Sequence, residues 1–165
     1  MHSRTLRRVA LIGFVALVSP VAYPDQPGLG IEVTHAWIRW LPQNLPAGGY
    51  MTLINTSAAR RVLIGASSAD YGEVSFHQTH TANGTSTMLP LDSLAIAPHA
   101  SVHFTPGGYH IMLMRPTHSV HPGDKVIMSL RFAGGQTLNV AFEVRSAAAG
   151  DAESAADMPD MPGMR

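Results

Sequence analysis

GGYHIMLMRP, residues 107–116, decides how this chain is read. Tyr109, Ile111 and Leu113 alternate with His110, Met112 and Met114, a period of two that suits an extended strand and not a helix. Successive strand side chains point to opposite faces, so the bulky apolar residues share one face and the histidine and methionines share the other. One face is predicted to be core; the other carries soft donor atoms.

Working outward, SFHQTHTANGTSTMLPL (75–91) places Asn83-Gly84 between two β-like runs, the strongest short-range hairpin signal. With those two residues as the turn, Ala82 pairs with Thr85, Thr79 with Met88 and His77 with Pro90. His77 and Met88 then share a face in diagonal register, about 7 to 8 Å apart at the backbone, and His80 points to the opposite face. Further strands are expected at IEVTHAWIRW, GYMTLINT, RRVLIGASS, SVHFT, KVIMSLRFA and QTLNVAFEVR, separated by clusters of Gly, Pro and Asn. No stretch keeps a helical period and no βαβ alternation occurs. The fold class is therefore all-β, a sandwich or barrel in a single domain.

The two ends read differently. Residues 1–22, MHSRTLRRVALIGFVALVSPVA, have a basic start, an apolar run too short to span a bilayer and small residues near Ala22, the layout of a secretory signal peptide. The mature chain is expected to be exported, without stable membrane insertion. Residues 146–165 are small and acidic with no β-branched residue, and read as a flexible tail in which Met158, Met161 and Met164 recur every third position. The β-rich domain occupies 23–145. Without residues 1–22, eight basic residues face eleven acidic ones, which gives nucleic acid no electrostatic footprint.

Cysteine is absent, whereas histidine and methionine each occur nine times. Disulfides, thiolate metal sites and thiol catalysis are thereby excluded. The hairpin supplies His77 and Met88, and the opening strand supplies His110 and Met112. Two imidazoles and two thioethers are four neutral, soft ligands that favour Cu(I) over harder divalent ions. Met114 shares the face of Met112 and is a candidate auxiliary ligand, as are His80 and the tail methionines Met158, Met161 and Met164, which would hold a second, weaker copper.

The spacing from His77 through Met88 and His110 to Met112 follows the H-x10-M-x21-H-x-M pattern, and the chain resembles the periplasmic PCu(A)C copper chaperones over residues 30–145. HAWIRW, AGGYMTLIN, PGGYHIMLM and GDKVIMSLRFAGGQTLNVAFEV carry the rest of the likeness. The resemblance implies the periplasm as location and a cupredoxin-like Greek-key β-barrel that binds one Cu(I) near its surface. It also implies transfer of that ion to a copper-accepting protein, an oxidase subunit or another chaperone, typically at the binuclear copper centre of cytochrome c oxidase. Gln78 and Thr79 stand where family members often carry a methionine, and the tail lacks the histidines often found in family extensions.

The remaining candidates are expected to be structural. Met51 and Met128 should fill the core, Trp37 and Trp40 should pack in or near it, and His35 and His103 should be satisfied strand residues. His118 and His121 belong to a hydrated loop. The protein is expected to be a monomer and not an enzyme. A blue-copper electron carrier would need a cysteine, and a dismutase-type copper enzyme would need more imidazoles. General copper scavenging uses the same ligands as delivery, whereas an immunoglobulin-type interaction module would leave the four-residue spacing without a role.

Overall fold

In the computed structural model, which describes residues 28–42 and 45–147, Asn83 and Gly84 both have positive φ, 52° and 75°. That is the backbone of a type I′ turn, whose twist matches the flanking strands. The strands it joins belong to a set of ten: β1 (Ile31–Trp40), β2 (Ala47–Asn55), β3 (Arg61–Ser68), β4 (Tyr71–Ala82), β5 (Thr85–Pro90), β6 (Leu94–Ile96), β7 (Ser101–Phe104), β8 (Tyr109–Pro116), β9 (Lys125–Phe132) and β10 (Thr137–Ser146). The hairpin register pairs Ala82 with Thr85, Thr79 with Met88 and His77 with Pro90, as the Asn-Gly turn predicts. Nine of the strands coincide with the expected runs to within two residues, and β6 is an addition. Its three residues are too few to carry a visible period.

The strands form one sheet in the order β5-β4-β8-β7-β2-β1-β10-β9-β3-β6, with β8 also pairing β2. Most pairs are antiparallel, but β1 with β10 and β7 with β8 are parallel, which requires crossing connections. β3 runs into β4 through Ala69-Asp70, and the two strands pack together although each is second from an opposite edge. Laid flat, seven strand spacings would hold them roughly 34 Å apart. The sheet is therefore rolled onto itself into the all-β barrel or sandwich expected of the cupredoxin-like class. Thr117 fastens the roll by donating its N–H to the Asp70 carbonyl and its hydroxyl to the Ala69 carbonyl, each at 3.0 Å.

One hydrophobic core fills the interior, and the apolar face of β8 enters it: Ile111 and Leu113 are fully buried beside Phe76, Met51, Leu53, Met128 and Phe142. Met51 and Met128 are core methionines and Trp37 is buried, as expected. Along β1 the alternation breaks, because a bulge between Thr34 and Trp37 puts His35 at φ 52° and reverses which parity faces inward. Asn55 is the buried polar group at the far end of β2. Its amide donates to the carbonyls of Ala59 (2.8 Å), Ala97 (3.0 Å) and Ile96 (3.3 Å), and its Oδ1 accepts from the Ser57 hydroxyl (2.7 Å) and backbone N–H (3.0 Å).

Among the described residues no helix is long and apolar enough to cross a membrane. The expected signal peptide and the tail with Met158, Met161 and Met164 lie outside the described residues.

Candidate metal centre

The other face of β8 meets β4 in a register that the sequence alone did not fix. His110 pairs directly with His77, Met112 with Ser75, and Met114 with Glu73. Cross-strand partners share a face, so the two imidazoles stand side by side, their ring centroids 5.7 Å apart and their planes inclined by 24°. On the outer flank Met88 of β5 faces Thr79, one row from His77 and therefore diagonal to it. On the inner flank Met112 also pairs with Gly48 of β2. His77, Met88, His110 and Met112 thus share one face across three adjacent strands.

Burial across this face is graded. His110 is only 8% exposed and Met112 is half-buried, whereas Met88 is 48% exposed and every residue of the edge strand β5 is exposed. Met114 lies one row beyond Met112, half-buried beside Glu73, whose carboxylate accepts from Arg115 at 2.8 Å. His80 is exposed and on the opposite face of β4, away from the group.

The imidazoles have definite partners. His110 Nδ1 lies 3.1 Å from the Gly108 carbonyl, and that same carbonyl accepts the Thr79 N–H at 3.0 Å. The chain reaches this position through a tight turn in which Gly107 has φ 82° and the Gly108 N–H returns to the Thr105 carbonyl. His77 Nε2 lies 3.0 Å from Ser75 Oγ. The opposite nitrogens, His77 Nδ1 and His110 Nε2, are buried with no hydrogen-bond partner. Buried polar atoms are ordinarily satisfied, so two orphaned ring nitrogens on one face mark an arrangement completed by something else. Burial, and secondarily the neighbouring His110, holds the His77 imidazole below its ordinary pKa, which keeps its lone pair free of a proton.

Among the described residues no three His, Cys, Asp or Glu side chains are grouped to hold a metal. On this face two imidazoles stand with two thioethers, a neutral set suited to a soft, singly charged ion. The polar loop histidines behave otherwise. His118 and His121 line a separate cavity of about 420 Å³ with Asp70, Asp124 and Lys125; His118 Nε2 is 3.6 Å from Asp70 Oδ1, and Asp124 accepts the His121 N–H at 2.8 Å. His103 shares a hydrogen bond with Thr52 at 3.2 Å.

Ser75 and the Gly108 carbonyl, the partners of the two imidazoles, are not among the candidates expected from the sequence. Ser75 had a legible signal, since a residue two before His77 must share its face. The carbonyl had none, because its role depends on a turn and on a non-local pairing.

The fold so defined is that of the PCuAC domains. It superposes on the copper-bound PCuAC domain from PmoF2 with a TM-score of 0.60 and 26% identity, covering 71% of this chain and 93% of that one. It is likewise similar to the solution structure of CuI-DR1885 from Deinococcus radiodurans, with a TM-score of 0.52 and 26% identity over 67% of this chain and 74% of that one. Residues 31–144 match the family described as "Putative lipoprotein LpqE-like", and the chain belongs to that family. The protein described as "Putative lipoprotein Lxx21020", from Leifsonia xyli subsp. xyli, is 31% identical over 132 residues, 79% of each chain.

Proposed function

We propose that this protein is a periplasmic Cu(I) chaperone that captures the ion with His77, Met88, His110 and Met112 and passes it to an acceptor. The observation that carries the reading is the pair of buried, partnerless nitrogens, His77 Nδ1 and His110 Nε2, on a face shared with two thioethers. The copper-bound state of two similar structures, the PCuAC domain from PmoF2 and CuI-DR1885, supports it. Four neutral ligands leave the net charge of the ion unbalanced, which favours Cu(I) over Cu(II). The protein binds and releases and does not catalyse.

Exposure sets the order of transfer. Met88, on the open edge strand, is the ligand an incoming thioether or imidazole can replace first, while His110 and Met112 keep hold from deeper in the sheet. The acceptor is a copper protein, an oxidase subunit or another chaperone, with the binuclear copper centre of cytochrome c oxidase as the proposed destination. Met158, Met161 and Met164 of the tail are proposed to hold a second, weaker copper.

The test is an anaerobic Cu(I) titration of the full chain against a coloured chelator, run beside His110→Ala. One tightly held equivalent, weakened by orders of magnitude in the variant, is the expected result. An unchanged affinity in His110→Ala, or no competition with the chelator at all, overturns the assignment.

A further inference from the structure

We infer that Ser75 is a positioning residue that holds His77 in the Nε2–H tautomer, so that the two histidines offer opposite ring nitrogens to the ion, Nδ1 from His77 and Nε2 from His110. The inference rests on the copper reading of this face for its purpose, but its structural content stands on hydrogen-bond partners alone.

A neutral imidazole has one N–H donor and one lone-pair acceptor, and whichever nitrogen donates leaves the other to accept. For His110 the partner of Nδ1 is a carbonyl, which can only accept, so Nδ1 carries the hydrogen and Nε2 the free lone pair. His77 is the reverse case. Its Nε2 faces the Ser75 hydroxyl at 3.0 Å and its Nδ1 is buried without a partner. A hydroxyl can serve either way, so the choice falls to Nδ1. Were Nδ1 protonated, a buried N–H would have no acceptor, which is costlier and rarer than an unused lone pair. Nε2–H therefore donates to Ser75 Oγ.

Ser75 is placed for this by strand geometry. It lies two residues before His77 on β4, on the same face, and opposite Met112. The two histidines are thus aimed by different means. His110 is directed by a main-chain carbonyl that β4 itself holds in place, whereas His77 depends on one hydroxyl that a substitution can remove. The choice of nitrogen also has a reach: Nδ1 sits next to the ring carbon that joins the side chain, and Nε2 sits at the far edge.

The experiment is long-range ¹H–¹⁵N correlation spectroscopy of the copper-free full chain above about pH 7, where imidazole is neutral, on the native sequence, Ser75→Ala and Ser75→Thr. Expected are protonation at Nε2 of His77 and at Nδ1 of His110 in the native chain. Ser75→Ala should mix the His77 tautomers, leave His110 untouched and weaken Cu(I) binding about tenfold, the scale of lost outer-shell partners. Ser75→Thr should restore both readouts. A native His77 protonated at Nδ1, or a Ser75→Ala chain with an unmoved His77 tautomer, overturns the inference. A chain that shows the stated tautomers yet never competes for Cu(I) supports the assignment of nitrogens and removes the copper reading instead.

Discussion

Two neighbouring residues of β8 should fail in opposite ways when truncated. Leu113 is fully buried in the core, and Leu→Ala at such a site costs about 2 to 5 kcal/mol through lost transfer energy and the cavity left behind. At about 4 °C per kcal/mol for a domain of this size, the copper-free melting temperature should fall by roughly 8 to 20 °C. Met112 is half-buried on the other face, so Met112→Ala should cost about 1 kcal/mol or less of copper-free stability. Its loss should appear in Cu(I) affinity, by about tenfold or more, equivalent to about 1.4 kcal/mol. Thermal unfolding with and without Cu(I) separates the two. Bound ion at a hundredfold excess over its dissociation constant adds about 2.7 kcal/mol. That increment should survive in Leu113→Ala, on a lower baseline, and shrink in Met112→Ala. A Met112→Ala chain that keeps its full copper-induced shift, or a Leu113→Ala chain as stable as the native protein, would refute the division of β8 into a core face and a ligand face.

Other outcomes follow from single features. The folded His77 resists protonation while the unfolded one titrates near its ordinary value, so the stability it contributes is present above about pH 6.5 and is lost as pH falls through the depressed folded value. Copper-free melting temperatures should therefore decline more steeply on acidification in the native chain than in His77→Asn; matching slopes would contradict this. Asn55→Ala removes the amide's bonds to the Ala59, Ile96 and Ala97 carbonyls and to Ser57, of which Ala59 and Ala97 keep a second donor, and should cost about 1 to 3 kcal/mol in denaturant unfolding. Because Asn55 lies seven residues along β2 from Gly48, roughly 24 Å away, its Cu(I) affinity should be unchanged. Gly84 has φ 75° with no atom near an added Cβ, so Gly84→Ala should cost about 1 kcal/mol, purely conformational. Amide exchange should then quicken in β5 but not in β8, and unaltered protection of β5 would count against the turn's role.

What the sequence made legible was local. The Asn83-Gly84 turn dictates the β4–β5 register through two residues, and the period of β8 separates Ile111 and Leu113 from His110 and Met112 without reference to any other strand. Non-local facts were not legible. That His77 pairs with His110, and Met112 with Ser75, depends on how β4 and β8 slide past each other, which neither strand encodes alone. The bulge at His35 reverses the facing of β1 midway, so strict alternation from Ile31 would turn Ile38 outward, although it is fully buried in the core. β6 is held by pairing with β3 and by the burial of Leu94 and Ile96, not by any run of its own. The free nitrogen of His110 is equally hidden, since a turn carbonyl chooses it, whereas the hydroxyl that faces His77 lies two residues back on its own strand.

The Gly108 carbonyl receives two donors at once, the Thr79 N–H and His110 Nδ1. One atom therefore stitches β4 to the turn ahead of β8 and fixes the rotation of an imidazole. Loosening the seam between β4 and that turn frees the ring in the same stroke, so His110 cannot drift out of aim while the seam stays closed. Ligand geometry and strand cohesion are then one mechanical variable, and a force or a docking strand that pries at this end of β4 acts directly on His110 without touching it.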